Sequence, residues 1–236
     1  MLLDLTARTV LLPVLLGQAA YARRTARSLP EPEGPREGRV GQGPPLRVLI
    51  IGDSSAAGVG VPTQDEALTG QLSRRLSSQF TVEFHLDGVT GARTIDTVRR
   101  LHAKPAQSFD VAVTALGVND VTKGISLRRW LEHQAELYDL LRDKFGAQQI
   151  LVSSLPPVHQ FPLLPNPLRW VLGRQAQRFD RALHLLTEQQ EGCEIVTFDL
   201  TLDASNMSPD GFHPGPIVYA AWADRVARRI PKPVSA

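Results

Sequence analysis

Five short runs rich in β-branched and aliphatic residues recur along the chain, each followed by a stretch with helical spacing. "LRVLIIG" (46–52), "FTVEFHL" (80–86), "FDVAVTALG" (109–117), "QQILVSSL" (148–155) and "CEIVTFDL" (193–200) have the length and composition of strands. Between the first two, Leu68, Leu72 and Leu76 fall on one face of a helix over Glu66–Ser78. Helical patterns follow over 92–103, Leu127–Lys144, Leu168–Glu191 and Ile217–Ile230. Strands alternating with helices need crossover connections. The pattern therefore predicts an α/β fold: a three-layer α/β/α sandwich around a five-stranded, mostly parallel sheet, flavodoxin-like in plan.

Ahead of this pattern the character changes twice. Residues 29–45 are dense in Pro, Gly and charge and read as a linker, because such a composition buries too little surface to offset its ordering entropy. The compact domain is then expected over 46–236. Residues 1–28 carry an apolar stretch of 14 residues, "TVLLPVLLGQAAYA", followed by Arg23, Arg24 and Arg27. That is shorter than the roughly 20 residues of a spanning helix. A signal-peptide core, a helix lying in a membrane interface with residues 9–27 as a peripheral contact, and a soluble helix all stay open. Location follows that choice, between cytoplasm, membrane surface and periplasm.

Composition narrows the classes. With 42% hydrophobic and 21% charged residues the chain is an ordinary globular protein, and a net charge of +2 with no basic stripe argues against a nucleic-acid partner. One cysteine, Cys193, excludes an internal disulfide and a cysteine-based metal cluster. Neither dinucleotide nor Walker-type glycine patterns occur, so no cofactor and no metal are implied.

In a sheet of this kind ligands bind beyond the carboxyl ends of the strands, so the segments that follow the strands carry the chemistry. "GDSSAAG" puts Ser54 at the start of a helix, either as a cap or as a hydroxyl displayed into the cleft, with Ser55 reading as a structural or capping residue. In "PDGFHPG", Asp210 precedes His213 by three residues, a spacing that lets a carboxylate reach the imidazole Nδ1 across a tight turn. Asn119 in "LGVND" offers a side-chain amide, and Gly91 in "VTGAR" a backbone N–H at a helix start; each is equally a common turn residue. His85, His102, His133 and His184 show no ligand spacing.

Taken together and in order, these four segments resemble the four sequence blocks of the SGNH (GDSL-type) hydrolase superfamily. They span residues 52–213. The resemblance implies Ser54 as nucleophile with His213 and Asp210 completing a triad. It implies an oxyanion hole of the Ser54 and Gly91 amides with the Asn119 side chain. Gly88 is the rival glycine, and Asp87 stands where many members have Asn. The implied activity is hydrolysis of carboxylic esters, with short-chain acyl or aryl esters as the leading small-molecule substrates. Envelope-glycan O-deacetylase, lysophospholipase or thioesterase chemistry and a non-catalytic binding role remain as alternatives. The apolar, proline-rich loop 156–170 reads either as a substrate wall through His159, Phe161 and Leu163 or as plain packing on the sheet.

Overall fold

Val48 and Ile50 point to one face of their strand, Leu49 and Ile51 to the other, and all four are buried. A strand that is apolar on both faces must be covered by helices on both sides. The structure, a computed structural model, describes residues 2–25, 27–197 and 200–233. It consists of one sheet between two helical layers.

The strands are β1 (Glu37–Val40), β2 (Pro45–Gly52), β3 (Thr81–Gly88), β4 (Val111–Ala115), β5 (Gln149–Ser153) and β6 (Cys193–Val196), in the spatial order β1-β3-β2-β4-β5-β6. From β2 to β6 all pairings are parallel. One face is covered by α3 (Leu68–Leu76) and α8 (Pro216–Ala227), packed through Leu68, Leu72, Tyr219 and Trp222. The other carries α4 (Thr94–Ala103), α6 (Leu127–Asp143) and α7 (Leu168–Glu188). There the fully buried Trp130 stacks on Phe179 at 4.7 Å, and its indole N–H donates to Thr94 Oγ1. Burying large apolar side chains of this kind stabilises the fold by about 1.5–3 kcal/mol each. The N-terminal α1 (Leu2–Thr25) packs Leu15 against this second layer beside α7.

The sheet has six strands rather than five. Residues 29–45, expected to be a linker, supply the extra one: β1 runs antiparallel to β3, pairing Glu37 with His85 and Val40 with Val82. Just before it, Arg36 accepts from the Leu86 amide through its carbonyl and donates to the Gly88 carbonyl through its guanidinium. All four β1 residues are exposed, so the strand is held by backbone pairing with surface pairs of Glu37 to His85 and Arg39 to Glu83, and leaves no apolar alternation in the sequence. The last strand, expected over 193–200, ends at Val196; residues 198 and 199 of that stretch lie outside the described ones. The helix expected from Glu66 begins at Leu68.

The strand order reverses between β2 and β4, because the chain leaves β2 for one side of it and returns on the other. That switch leaves a crevice at the carboxyl ends of β2 and β4, where the next two short helices begin. They are α2 (Ser54–Ala57) and α5 (Val118–Thr122).

Candidate active site

The two serines after β2 have different partners. Asp53 caps α2: its Oδ1 accepts from the Ser55 amide at 2.9 Å and from the Ser55 hydroxyl at 2.7 Å. Ser55 is thereby spent on the turn in a structural role, and Asp53 rather than Ser55 is the cap. Ser54, at the first helical position, lies 2.9 Å through Oγ from His213 Nε2. On the far side of the ring, His213 Nδ1 is 2.5 Å from Asp210 Oδ2.

The loop after β6 is built around that carboxylate. Asp210 Oδ1 accepts from the Ser208 hydroxyl at 2.6 Å and from the Phe212 and His213 amides, both at 2.9 Å. Burial alone would push the Asp210 carboxyl up; the hydrogen bond to His213 and those from the His213 amide, Ser208 and the Phe212 amide instead hold it below the usual carboxylate range. An ionised carboxylate only accepts. With an Nδ1–H facing that carboxylate, Nε2 is left to accept from the Ser54 hydroxyl. A hydroxyl, an imidazole and a carboxylate in this series can transfer the hydroxyl proton to the ring as the oxygen attacks an electrophile.

Asn119, in the first turn of α5, turns its amide toward the same place. Its Nδ2 donates to Asp53 Oδ2 at 3.1 Å, so one carboxylate fixes both the α2 turn and the Asn119 side chain. Burial raises the Asp53 carboxyl above its ordinary value, against the opposing pull of the Ser55, His213 and Asn119 contacts. The amide has two N–H groups, and the one not held by Asp53 remains to donate elsewhere. Asp120, next in sequence, is buried and accepts from the Thr94 amide and hydroxyl, which fixes α5 to the start of α4. Burial pushes its carboxyl up as well, ahead of the opposing Thr94 hydrogen bonds.

The two glycine candidates separate on steric grounds. Gly88 sits under α2, where a Cβ would lie 2.5 Å from the Ala57 nitrogen, so the close approach of β3 to α2 demands glycine. Gly91 occupies the third position of a turn closed by the Ala92 amide on Val89 O, and its φ of +77° is the left-handed value a type II turn needs there. Open space surrounds its Cβ direction, and Lys123 at the end of α5 donates to its carbonyl at 2.7 Å. Asp87 forms ion pairs with Arg100 at 2.6 Å and Lys104 at 2.7 Å, both from the α4 side. A carboxylate fits this spot because two cations face it, which a neutral amide would not match.

Beside Ser54, His213 and Asn119 lies a narrow cleft of about 60 Å³. Its walls are mostly apolar and include Leu155, Phe161, Met207, Phe212 and Trp222. Phe161 meets Phe212 edge to face at 5.1 Å. Of the three substrate-loop residues expected from the sequence, Phe161 lines this cleft and the other two do not. His159 is exposed and packs over Gly173 of α7, in a separate depression with Asp180 and His184. Leu163 is tied through its amide to Gly211 O, which braces the Asp210 turn from outside. Gly91 also stands outside the cleft walls. Sequence reasoning missed Asp53, Ser208 and most of the wall, including Trp222, whose ring N–H donates to Ser153 Oγ at 3.1 Å.

The sequence model of the GDSL-like lipase/acylhydrolase family matches residues 50–233, most of the chain. The chain belongs to that family. A curated relative, the GDSL-like esterase Rv1075c of Mycobacterium tuberculosis, is 26% identical over 235 residues, covering 89% of this chain and 74% of its own. Among solved structures, TesA superposes with a TM-score of 0.60 at 23% identity, covering 77% of this chain and 96% of its own. The psychrotrophic esterase EstA of Pseudoalteromonas sp. gives 0.59 at 18% identity, with 77% and 94% covered. At such identities the structures establish the fold. This GDSL-family chain shares that fold, with a six-stranded, mostly parallel sheet.

Proposed function

We propose that the protein is a serine hydrolase of carboxylic esters, acting on short-chain acyl or aryl esters. The observation that carries this reading is the unbroken series Ser54 Oγ, His213 and Asp210, at 2.9 and 2.5 Å, opening onto a small apolar cleft. Ser54 Oγ attacks the ester carbonyl carbon while His213 Nε2 takes the hydroxyl proton. Asp210 holds the tautomer and stabilises the imidazolium. The tetrahedral oxyanion is met by the Ser54 amide at the start of α2 and by the free N–H of Asn119; the Gly91 amide, from its turn outside the cleft walls, is the third donor that the family resemblance implies. Collapse breaks the bond to the alcohol oxygen, which leaves with the proton from His213. Water, deprotonated by the same ring, then releases the acid from Ser54.

A cleft of about 60 Å³ bordered by Leu155, Phe161 and Trp222 favours a short acyl group. Such a cleft accepts an acetyl group whatever alcohol carries it, so an O-acetylated sugar is the second reading. The test is hydrolysis of p-nitrophenyl esters from acetate to palmitate by the wild type and Ser54→Ala. Expected is a wild type that favours the shortest esters and a variant with no more than background turnover. Equal turnover by both proteins would remove Ser54 as nucleophile. Inactivity on every ester, joined to acetate release from an acetylated glycan, would move the assignment to the second reading.

A further inference from the structure

Helix α1 has two unlike sides. Leu15 and Ala22 are buried, and Leu11 and Ala19 pack against the core beside them. The Gln18 side chain clamps the helix to the body: Nε2 donates to Asn166 O at 2.6 Å, and Oε1 accepts from the Leu168 amide at 2.9 Å. The opposite side is open. Leu12, Val14, Leu16 and Tyr21 are 52%, 48%, 62% and 64% exposed, and Pro13, Gly17 and Ala20 complete that face. Over residues 12–21, about 15 Å of helix, the exposed face carries no charged side chain. A contiguous apolar face on a helix already docked by its other side is left to be covered by something else.

Charge indicates what covers it. Arg23, Arg24 and Arg27 follow the apolar stretch directly and are exposed, and no acidic residue occurs between Asp4 and Glu31. An apolar face ending in a cluster of cations is complementary to a bilayer surface with anionic headgroups. No helix of the described residues is long and apolar enough to cross a membrane. Beyond the clamp, Trp170 of α7 is also exposed, with the Arg174 guanidinium 5.5 Å from its ring centroid; such an amphipathic aromatic suits the headgroup level.

We infer that α1 lies in the surface of an anionic membrane, with its 12–21 face among the acyl chains and Arg23, Arg24 and Arg27 at the headgroups. The same helix is clamped at Asn166 and Leu168, on the loop whose Phe161 walls the cleft and whose Leu163 amide holds the Asp210 turn. Docking therefore sets the protein's orientation on the lipid through the segment that borders the cleft.

Co-sedimentation of the full chain with vesicles tests this, with equal parts of phosphatidylglycerol and phosphatidylcholine against phosphatidylcholine alone. Two double variants accompany it, Leu12→Glu/Leu16→Glu and Arg23→Gln/Arg24→Gln, with circular dichroism to check folding. Expected is binding to the anionic vesicles alone, weakened by salt, and a tenfold or greater loss in both variants with unchanged spectra. If the leucine pair disturbs folding, the arginine pair decides. Wild type left in the supernatant, or variants that bind as well as wild type, would overturn the proposal. So would a dimer in light scattering that Leu12→Glu/Leu16→Glu converts to monomer without any vesicle binding, since a second copy would then cover the face. The readout is independent of catalysis, so failure here leaves the esterase reading untouched.

Discussion

Replacing Asp53 with Asn should cost almost as much turnover as deleting the Asn119 amide, although Asp53 has no chemical step in the proposed mechanism. In the native site Asp53 presents two acceptors, Oδ1 to the Ser55 amide and hydroxyl and Oδ2 to Asn119 Nδ2. An Asn side chain has one acceptor and an NH₂ group in place of the other. If its oxygen keeps the α2 cap, its NH₂ faces the Asn119 NH₂, donor against donor, and the Asn119 amide must rotate away. Losing one oxyanion donor costs roughly 100-fold to 1,000-fold in kcat, or about 2.7–4 kcal/mol. Stability should change by no more than about 1 kcal/mol, because a buried neutral amide avoids the cost of charge burial that raises the Asp53 carboxyl. The assay is a double-mutant cycle of Asp53→Asn, Asn119→Ala and both, read as kcat on p-nitrophenyl acetate with urea midpoints alongside. In the proposed mechanism the carboxylate acts through the amide, so the double variant should be scarcely slower than Asn119→Ala. The reasoning fails if Asp53→Asn keeps kcat within about threefold of wild type, or if the two losses multiply.

Ser208→Ala removes one donor to the Asp210 carboxylate and should cost about 1.5–3 kcal/mol, the range for a hydrogen bond to a charged group. Because Asp210 is held below its unfolded value, its contribution to stability is full above about pH 4 and fades as pH falls through the lower folded value. Losing Ser208 moves the folded value up, so acid unfolding followed by circular dichroism should begin at a higher pH in the variant. Gly88→Ala should be severely destabilising, as a Cβ would be driven to 2.5 Å from the Ala57 nitrogen, and a Tm unchanged within a few degrees would contradict it. Phe161→Ala should open the cleft wall and raise the relative rate on butyrate and hexanoate esters over acetate, whereas Leu163→Ala should leave that profile alone. Asp120→Ala leaves the buried Thr94 amide and hydroxyl without their acceptor and should cost about 2–5 kcal/mol, while Asp120→Asn, which keeps one oxygen, should cost much less.

The parallel core was legible because β2 and β4 are buried on both faces and so read as unbroken apolar runs. Once the strands were placed, Ser54, Asn119, Asp210 and His213 stood out as polar groups just past their ends. An element held mainly by backbone pairing was not legible. β1 contributes four exposed residues to the sheet and pairs through N–H and C=O groups that every sequence possesses. The cleft walls escaped for another reason: Leu155, Met207, Phe212 and Trp222 come from separate segments, and each alone looks like ordinary core. Asp53 was hidden in plain view, since a carboxylate before a helix reads as a cap, which it is; its second bond to a residue 66 positions away leaves no local trace.

The seat of α1 also bears on how the chain is made. Gln18 finds its partners at Asn166 and Leu168, 148 and 150 residues further on. At roughly 5–20 residues per second, synthesis leaves on the order of 10 s between the emergence of the helix and that of its clamp. For that interval Leu15 and Ala22, later buried, are as bare as Leu12 and Leu16. The order of translation thus exposes α1 to lipid or chaperone before it can meet its own domain, and its inner side is covered only when Asn166 and α7 arrive.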